Sequence, residues 1–132
     1  MLRILSTDIE PVFEHNQTVT SWFMYPKESL REATEGSYLE FVNVFQLDPG
    51  VAIEPHLHNS HEFYYVIAGG GMMRVGDEQR EMGPGDMVHI GPNEVHSLRA
   101  GDAGVRCFAF AASFMKPGES YSVAAFDGEA GA

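Results

Sequence analysis

Between Tyr38 and Ala112 the chain alternates short apolar runs with clusters of Gly, Pro, Asn and Asp. The runs YLEFVNVFQL, EFYYVIA, MMRV, DMVHI, HSLRA and VRCFAFAA are too short for buried helices and rich in β-branched and aromatic residues, so they predict strands. The segments between them, DPG, GGG, GDEQ, GPGD, GPNE and GDAG, carry the residues that tight turns select. Many short strands at this spacing predict an all-β sandwich or barrel. Ahead of this region, WFMY at 22–25 reads as a short strand or packing lip. The stretch PKESLREATEG is the single helix candidate, with Pro26 at its start and Gly36 at its end. The small-residue terminus DGEAGA is expected to fray. No repeat of fixed period interrupts this pattern, so one domain is expected, 132 residues being too few for two ordinary ones.

Strand parity assigns faces. Along 41–47, Phe41, Asn43, Phe45 and Leu47 share one face, and Val42, Val44 and Gln46 the other. Both faces are largely apolar. On EFYYVI, Phe63, Tyr65 and Ile67 oppose Tyr64 and Val66 in the same two-sided way. A sheet of this kind is expected to be covered on both sides, by the first 37 residues or by a second subunit. A homodimer is therefore expected.

Composition narrows the partners. Eight Lys and Arg against nineteen Asp and Glu give a net charge of −11, which disfavours a nucleic-acid backbone as ligand. No apolar run approaches the roughly 20 residues of a membrane span. The first residues, MLRILSTDIEPVF, lack the apolar region of a secretory signal, so the expected compartment is the cytoplasm. The lone Cys107 excludes an internal disulfide framework.

The stretch HLHNSHEFYYVIAG concentrates the chemistry. His56 and His58 lie two apart and share a face if the segment is a strand, so they can grip one ion. Glu62, Tyr64 and Val66 continue that parity, while His61 falls opposite unless the NSH segment forms a loop. A His-rich polar loop is the plainer reading of such a segment taken alone. The methionines Met72, Met73, Met82 and Met87 read as core filler rather than soft ligands. His15 has no spacing to argue from; it is expected to be exposed unless a lid over a barrel mouth includes it.

Gly50, His56, His58, Glu62 and Gly69, separated by five, one, three and six residues, resemble without departure the first signature of the cupin superfamily. Gly85, Gly91, Pro92, Asn93 and His96 resemble the second, imperfectly: Gly91 stands for its Pro, Asn93 for its Gly, and Ala100 for its final Asn. Asn tolerates the left-handed backbone that such a turn needs, so His96 should still be presented. The resemblance covers about residues 38–112. It implies a single-domain, jelly-roll-like cupin β-barrel over residues 38–115, leaving 1–37 as an N-terminal extension packed on the barrel or on a partner, and 116–132 as a C-terminal segment. It also implies one metal held by His56, His58, Glu62 and His96. His89, two-fold opposite Val88 and Ile90, should point away from such a core and is excluded as a ligand.

Three imidazoles and one carboxylate suit a borderline or hard divalent transition metal with open positions. Iron, manganese or nickel is expected first, with zinc, cobalt or copper as alternatives. Neutral imidazoles are required, so metal is expected to leave as pH falls through about 6 to 5. Among the strands only Arg74, Arg99 and Arg106 are cationic, and they show no cluster of the kind a phosphosugar demands. The expected function is a metal-dependent enzyme acting on a small neutral or aromatic molecule, as a dioxygenase or as an isomerase, cyclase or lyase working through an enolate-like species. The alternative is a non-catalytic cupin that binds or senses a small molecule. Glu62, by leaving the metal, and Tyr64, through its hydroxyl, are the candidate catalytic groups; a core tyrosine is the plainer reading of Tyr64, and no separate base is identifiable.

Overall fold

In the computed structural model, which describes residues 4–25, 30–34, 38–113 and 123–125, nine strands form one strongly curled sheet. After a 3-10 turn at Ser6–Asp8 come β1 Val12–Glu14, β2 Val19–Phe23 and the helical turn α1 Leu30–Ala33. The remaining strands are β3 Leu39–Leu47, β4 Ala52–His58, β5 His61–Val75, β6 Glu78–Met82, β7 Met87–Ile90, β8 His96–Ala112 and β9 Val123–Ala125. Every pairing is antiparallel. The chain is a single-domain, nearly all-β barrel, and no helix among the described residues is long and apolar enough to cross a membrane.

Two long strands build the barrel. The first part of β8 pairs with β4 on one side and with Gly71–Val75 of β5 on the other, whereas its last part pairs with β3 and with His61–Gly69. Both strands thus run through two facing layers. Sequence separates EFYYVIA from MMRV and HSLRA from VRCFAFAA, but the ladder carries each pair through its glycines as one strand, with register shifts at Val66/Ala68 and Gly69/Gly71. The glycines allow the bend because the two backbones touch there: a Cβ on Gly69, whose φ is +72°, would overlap the Gly104 carbonyl oxygen, and one on Gly71 would overlap that of Arg99.

Parity holds on the inner face. Phe41, Asn43, Phe45 and Leu47 are buried, and so are Tyr64, Val66, Leu98, Val105, Cys107, Ala109 and Ala111. Phe45 meets Tyr64 edge to face at 4.9 Å. Such side chains each contribute about 1.5–3 kcal/mol by leaving water. On the outer face, Phe63 stacks on Phe110 at 4.7 Å and on His89 at 4.6 Å, while Tyr65, Ile67 and Met87 are exposed.

Several details go beyond the sequence pattern. Of the helix expected over 26–36, the described residues show one turn, Leu30–Ala33; residues 26–29 and 35–37 lie outside the described residues. WFMY contributes Trp22 and Phe23 to β2. EQREM, whose first four residues are all polar, pairs as β6 with Gly71–Val75 because a two-residue turn at Gly76 and Asp77 returns it alongside. The leading segment places β1 and β2 as a hairpin, with β2 hydrogen-bonded to β3. β9 pairs with His56–His58; the DGEAGA end lies outside the described residues.

Candidate metal centre

His56 and His58 sit on β4 with their side chains inward, 2% and 8% exposed. Asn59 and Ser60 form a two-residue bend, and β5 starts at His61. The bend restores the parity, so Glu62 faces inward and is buried while His61 faces out. His96 opens β8 directly opposite His56 in the ladder. The turn before it holds Asn93 at φ 62°, in the left-handed region as its sequence position requires, and the Asn93 amide donates to the His58 carbonyl at 2.6 Å. One hydrogen bond therefore ties the turn of the second motif to the histidine of the first.

The four candidate ligands converge. Their nearest donor atoms all lie within 4.8 Å of one another, and all four residues are buried. Glu62 Oε2 is 3.1 Å from His58 Nε2 and 3.3 Å from His96 Nε2. Two donors bound at right angles to one ion at about 2.1 Å would lie about 3.0 Å apart, close to these separations. The tautomers are set from behind: Nδ1 of His56 is 2.9 Å from the Glu54 carbonyl oxygen, and Nδ1 of His96 is 2.9 Å from that of Glu94. A carbonyl only accepts, so each Nδ1 carries the proton and each Nε2 turns a lone pair inward. Glu62 Oε2 and His96 Nε2 are buried yet make no well-formed hydrogen bond. Buried polar atoms of this kind are costly unless something binds them, and a divalent ion fits the donor set.

Electrostatics agree with a ligand role. Burial, reinforced by the neighbouring His96 and His15 rings, pushes the pKa of His56 down to about 3, despite the opposing hydrogen bond to Glu54. This imidazole is neutral well below pH 5. A neutral His56 is what metal ligation requires.

Three further residues complete the surroundings. His15, expected to be exposed unless a lid over a barrel mouth includes it, packs on His56 with ring centroids 4.3 Å apart. The contact follows from the β1–β2 hairpin, whose turn folds back over β4. Asn43 is 4% exposed, and its Oδ1 has no hydrogen-bond partner. Glu14 accepts from Ser21 Oγ at 2.7 Å. With Tyr64, they border an inner chamber of about 40 Å³ beside His58 and Glu62. Parity had put Asn43 on the inner face, and a lone polar residue among Phe41, Phe45 and Leu47 was the available signal. Nothing local marks His15 or Glu14.

Tyr64 lies in this chamber wall, its ring 6.3 Å from that of His96. His89 and His61 stand apart on the outer face, hydrogen-bonded to each other at 2.8 Å. Arg74 and Arg99, which parity treated as scattered, share a groove of about 580 Å³ with His15 and Glu54.

Comparison with known proteins agrees with this geometry. The model of the family described as "Cupin domain" matches residues 43–110, just over half of the chain. A 43-residue segment is 42% identical to gentisate 1,2-dioxygenase of Haloferax sp., covering 33% of this chain but only 12% of that protein. A predicted oxalate decarboxylase of Thermotoga maritima superposes with a TM-score of 0.73 at 19% identity, over 86% of this chain and all of that one. The polyketide cyclase RemF of Streptomyces resistomycificus gives 0.70 at 22% identity, over 99% of this chain and 89% of that one. At such identities the two structural likenesses are likenesses of fold.

Proposed function

The chain belongs to the cupin family, and on that premise we propose that it is a metal-dependent enzyme acting on a small organic molecule. The observation that carries the reading is the convergence of four buried donors, two of whose ligand atoms are left without a hydrogen bond. His56, His58, Glu62 and His96 hold one divalent ion, with iron, manganese or nickel favoured over zinc, cobalt or copper. When bound, the ion supplies Lewis-acid stabilisation of the negative charge that develops on a substrate oxygen.

The protein's own groups do the rest. Glu54 and Glu94 carbonyls keep His56 and His96 in the ligating tautomer. Asn43 Oδ1 accepts a hydrogen bond from a substrate hydroxyl or amine, and the buried aromatic wall of Phe41, Phe45 and Tyr64 excludes water around the reacting end. Tyr64 positions the substrate through its ring and its hydroxyl, and Glu62 would accept a proton only on leaving the ion.

Names of similar proteins divide among oxygenation, decarboxylation and cyclisation. An oxygen electrode separates the first from the others. Uptake that requires Fe(II) and a phenolic or other aromatic substrate supports a dioxygenase; turnover without uptake supports an isomerase, cyclase or lyase. A second reading, a cupin that binds or senses its ligand unchanged, is favoured by the ligand-sized groove of about 580 Å³ lying apart from the inner chamber of about 40 Å³ beside the candidate ligand set. Recovery of every tested ligand intact from metal-loaded protein would select it.

A second copy of the chain is the proposed cover for the outer aromatic face around Phe63, Tyr65, Ile67 and Phe110. Sedimentation equilibrium at twice the monomer mass supports this, and a monomer at every concentration contradicts it.

A further inference from the structure

His15 borders two spaces at once. It lines the inner chamber of about 40 Å³ beside His58 and Glu62, and also the outer groove of about 580 Å³ that contains Glu54, Arg74, Ser97 and Arg99. The inner space has room for about one water molecule, whereas the outer one has the volume of an organic ligand. Its ring lies on His56 at 4.3 Å, and its side chain is 21% exposed.

The backbone that carries this ring is unusual. His15, Asn16 and Gln17 have φ of 50°, 56° and 65°, three successive non-glycine residues in the left-handed region. Such a run persists only when its surroundings hold it, and it tends to mark working segments. Two sets of contacts hold it here. Thr18 returns to the His15 carbonyl through its amide at 3.2 Å and its hydroxyl at 2.6 Å. Asn16 Nδ2 donates to Glu54 Oε2 at 2.8 Å, and His15 Nδ1 lies 3.8 Å from Glu54 Oε1. Glu54 thus clamps the turn with its carboxylate while its carbonyl orients His56. The ring and the metal ligand are positioned by one residue.

Resting on the metal-centre reading, we infer that His15 is a specificity-determining gate between the outer groove and the metal chamber. The groove holds the body of a small organic anion, which Arg74 and Arg99 attract, and only a reacting end that passes the His15 ring reaches the ligand set. Release of the 15–18 turn from Glu54 moves the ring and joins the two spaces. A ligand of two or three atoms passes without that movement; an aromatic ligand does not.

Cobalt(II)-loaded protein tests this, with binding of azide and of benzoate followed through the visible spectrum in stopped flow. In His15→Ala, benzoate should associate about tenfold faster than in the native chain while azide changes less than about twofold, and cobalt affinity should stay within about threefold. His15→Phe, which keeps a ring on His56 without its nitrogens, should restore the native benzoate rate. Equal benzoate rates in the native chain and His15→Ala, including no binding to either, would overturn the gate. So would acceleration of both ligands together with loss of cobalt affinity, the signature of a merely structural contact on His56. A native chain that takes up no cobalt would instead remove the metal-centre reading, and the gate with it.

Discussion

Two groups of histidines lie within a few residues of each other and meet opposite fates. His56, His58 and His96 are inside the barrel, all at most 8% exposed, whereas His61 and His89 pair on its outer face. The outer rings share one 2.8 Å hydrogen bond, and His89 stacks on Phe63. The inner rings spend Nδ1 of His56 and His96 on backbone carbonyls and leave ligand atoms facing Glu62. Histidine count therefore says little about a site. Parity, burial and what holds the second nitrogen decide it.

The comparison is broken most severely at Glu62. Glu62→Ala removes the one anionic ligand, and affinity for a divalent metal should fall by more than about 100-fold, beyond the effect usual for residues that only support ligands. Competition against a colorimetric chelator measures it.

Acid sharpens the comparison in the metal-free protein. The His56 pKa is depressed from 6.5 to about 3 in the fold, so between these values the unfolded chain binds the extra proton and the folded chain does not. Stability contributed by neutral His56 is fully present above pH 6.5 and is lost as pH falls towards 3, at up to about 1.4 kcal/mol per pH unit. Denaturant titrations from pH 7 to 4 should show this loss, and His56→Phe should flatten it. Unchanged pH dependence in that variant would remove His56 as the source.

The outer pair supplies the smallest effects. His61→Ala combined with His89→Ala should alter metal affinity by less than about twofold, since neither ring touches the ligand set. Cys107 serves as an internal control: it is 0% exposed and burial pushes its thiol up to about 12, so a thiol reagent should modify it only after unfolding.

Much of this was readable along the chain. The alternation in FVNVFQL and EFYYVI placed the inner face residue by residue, and the resemblance named four candidate ligands, whose donor atoms lie together in the structure. Spacing could not show that β5 and β8 bend through glycine rather than stop there, because close approach of Gly69 to Gly104 is a contact between residues far apart in sequence. Nor could it place His15 on His56: that contact depends on a hairpin turn in left-handed conformation and on Glu54, thirty-nine residues onward. Arg74 and Arg99 share a groove only because their strands are neighbours, which charge spacing does not encode.

The most direct test of the central claim is metal stoichiometry by mass spectrometry, on protein purified without chelator, for the native chain and for His56→Ala combined with His96→Ala. One equivalent of a divalent transition metal in the native chain and none in the double variant is the expected result. An unchanged metal content in the double variant would contradict the site.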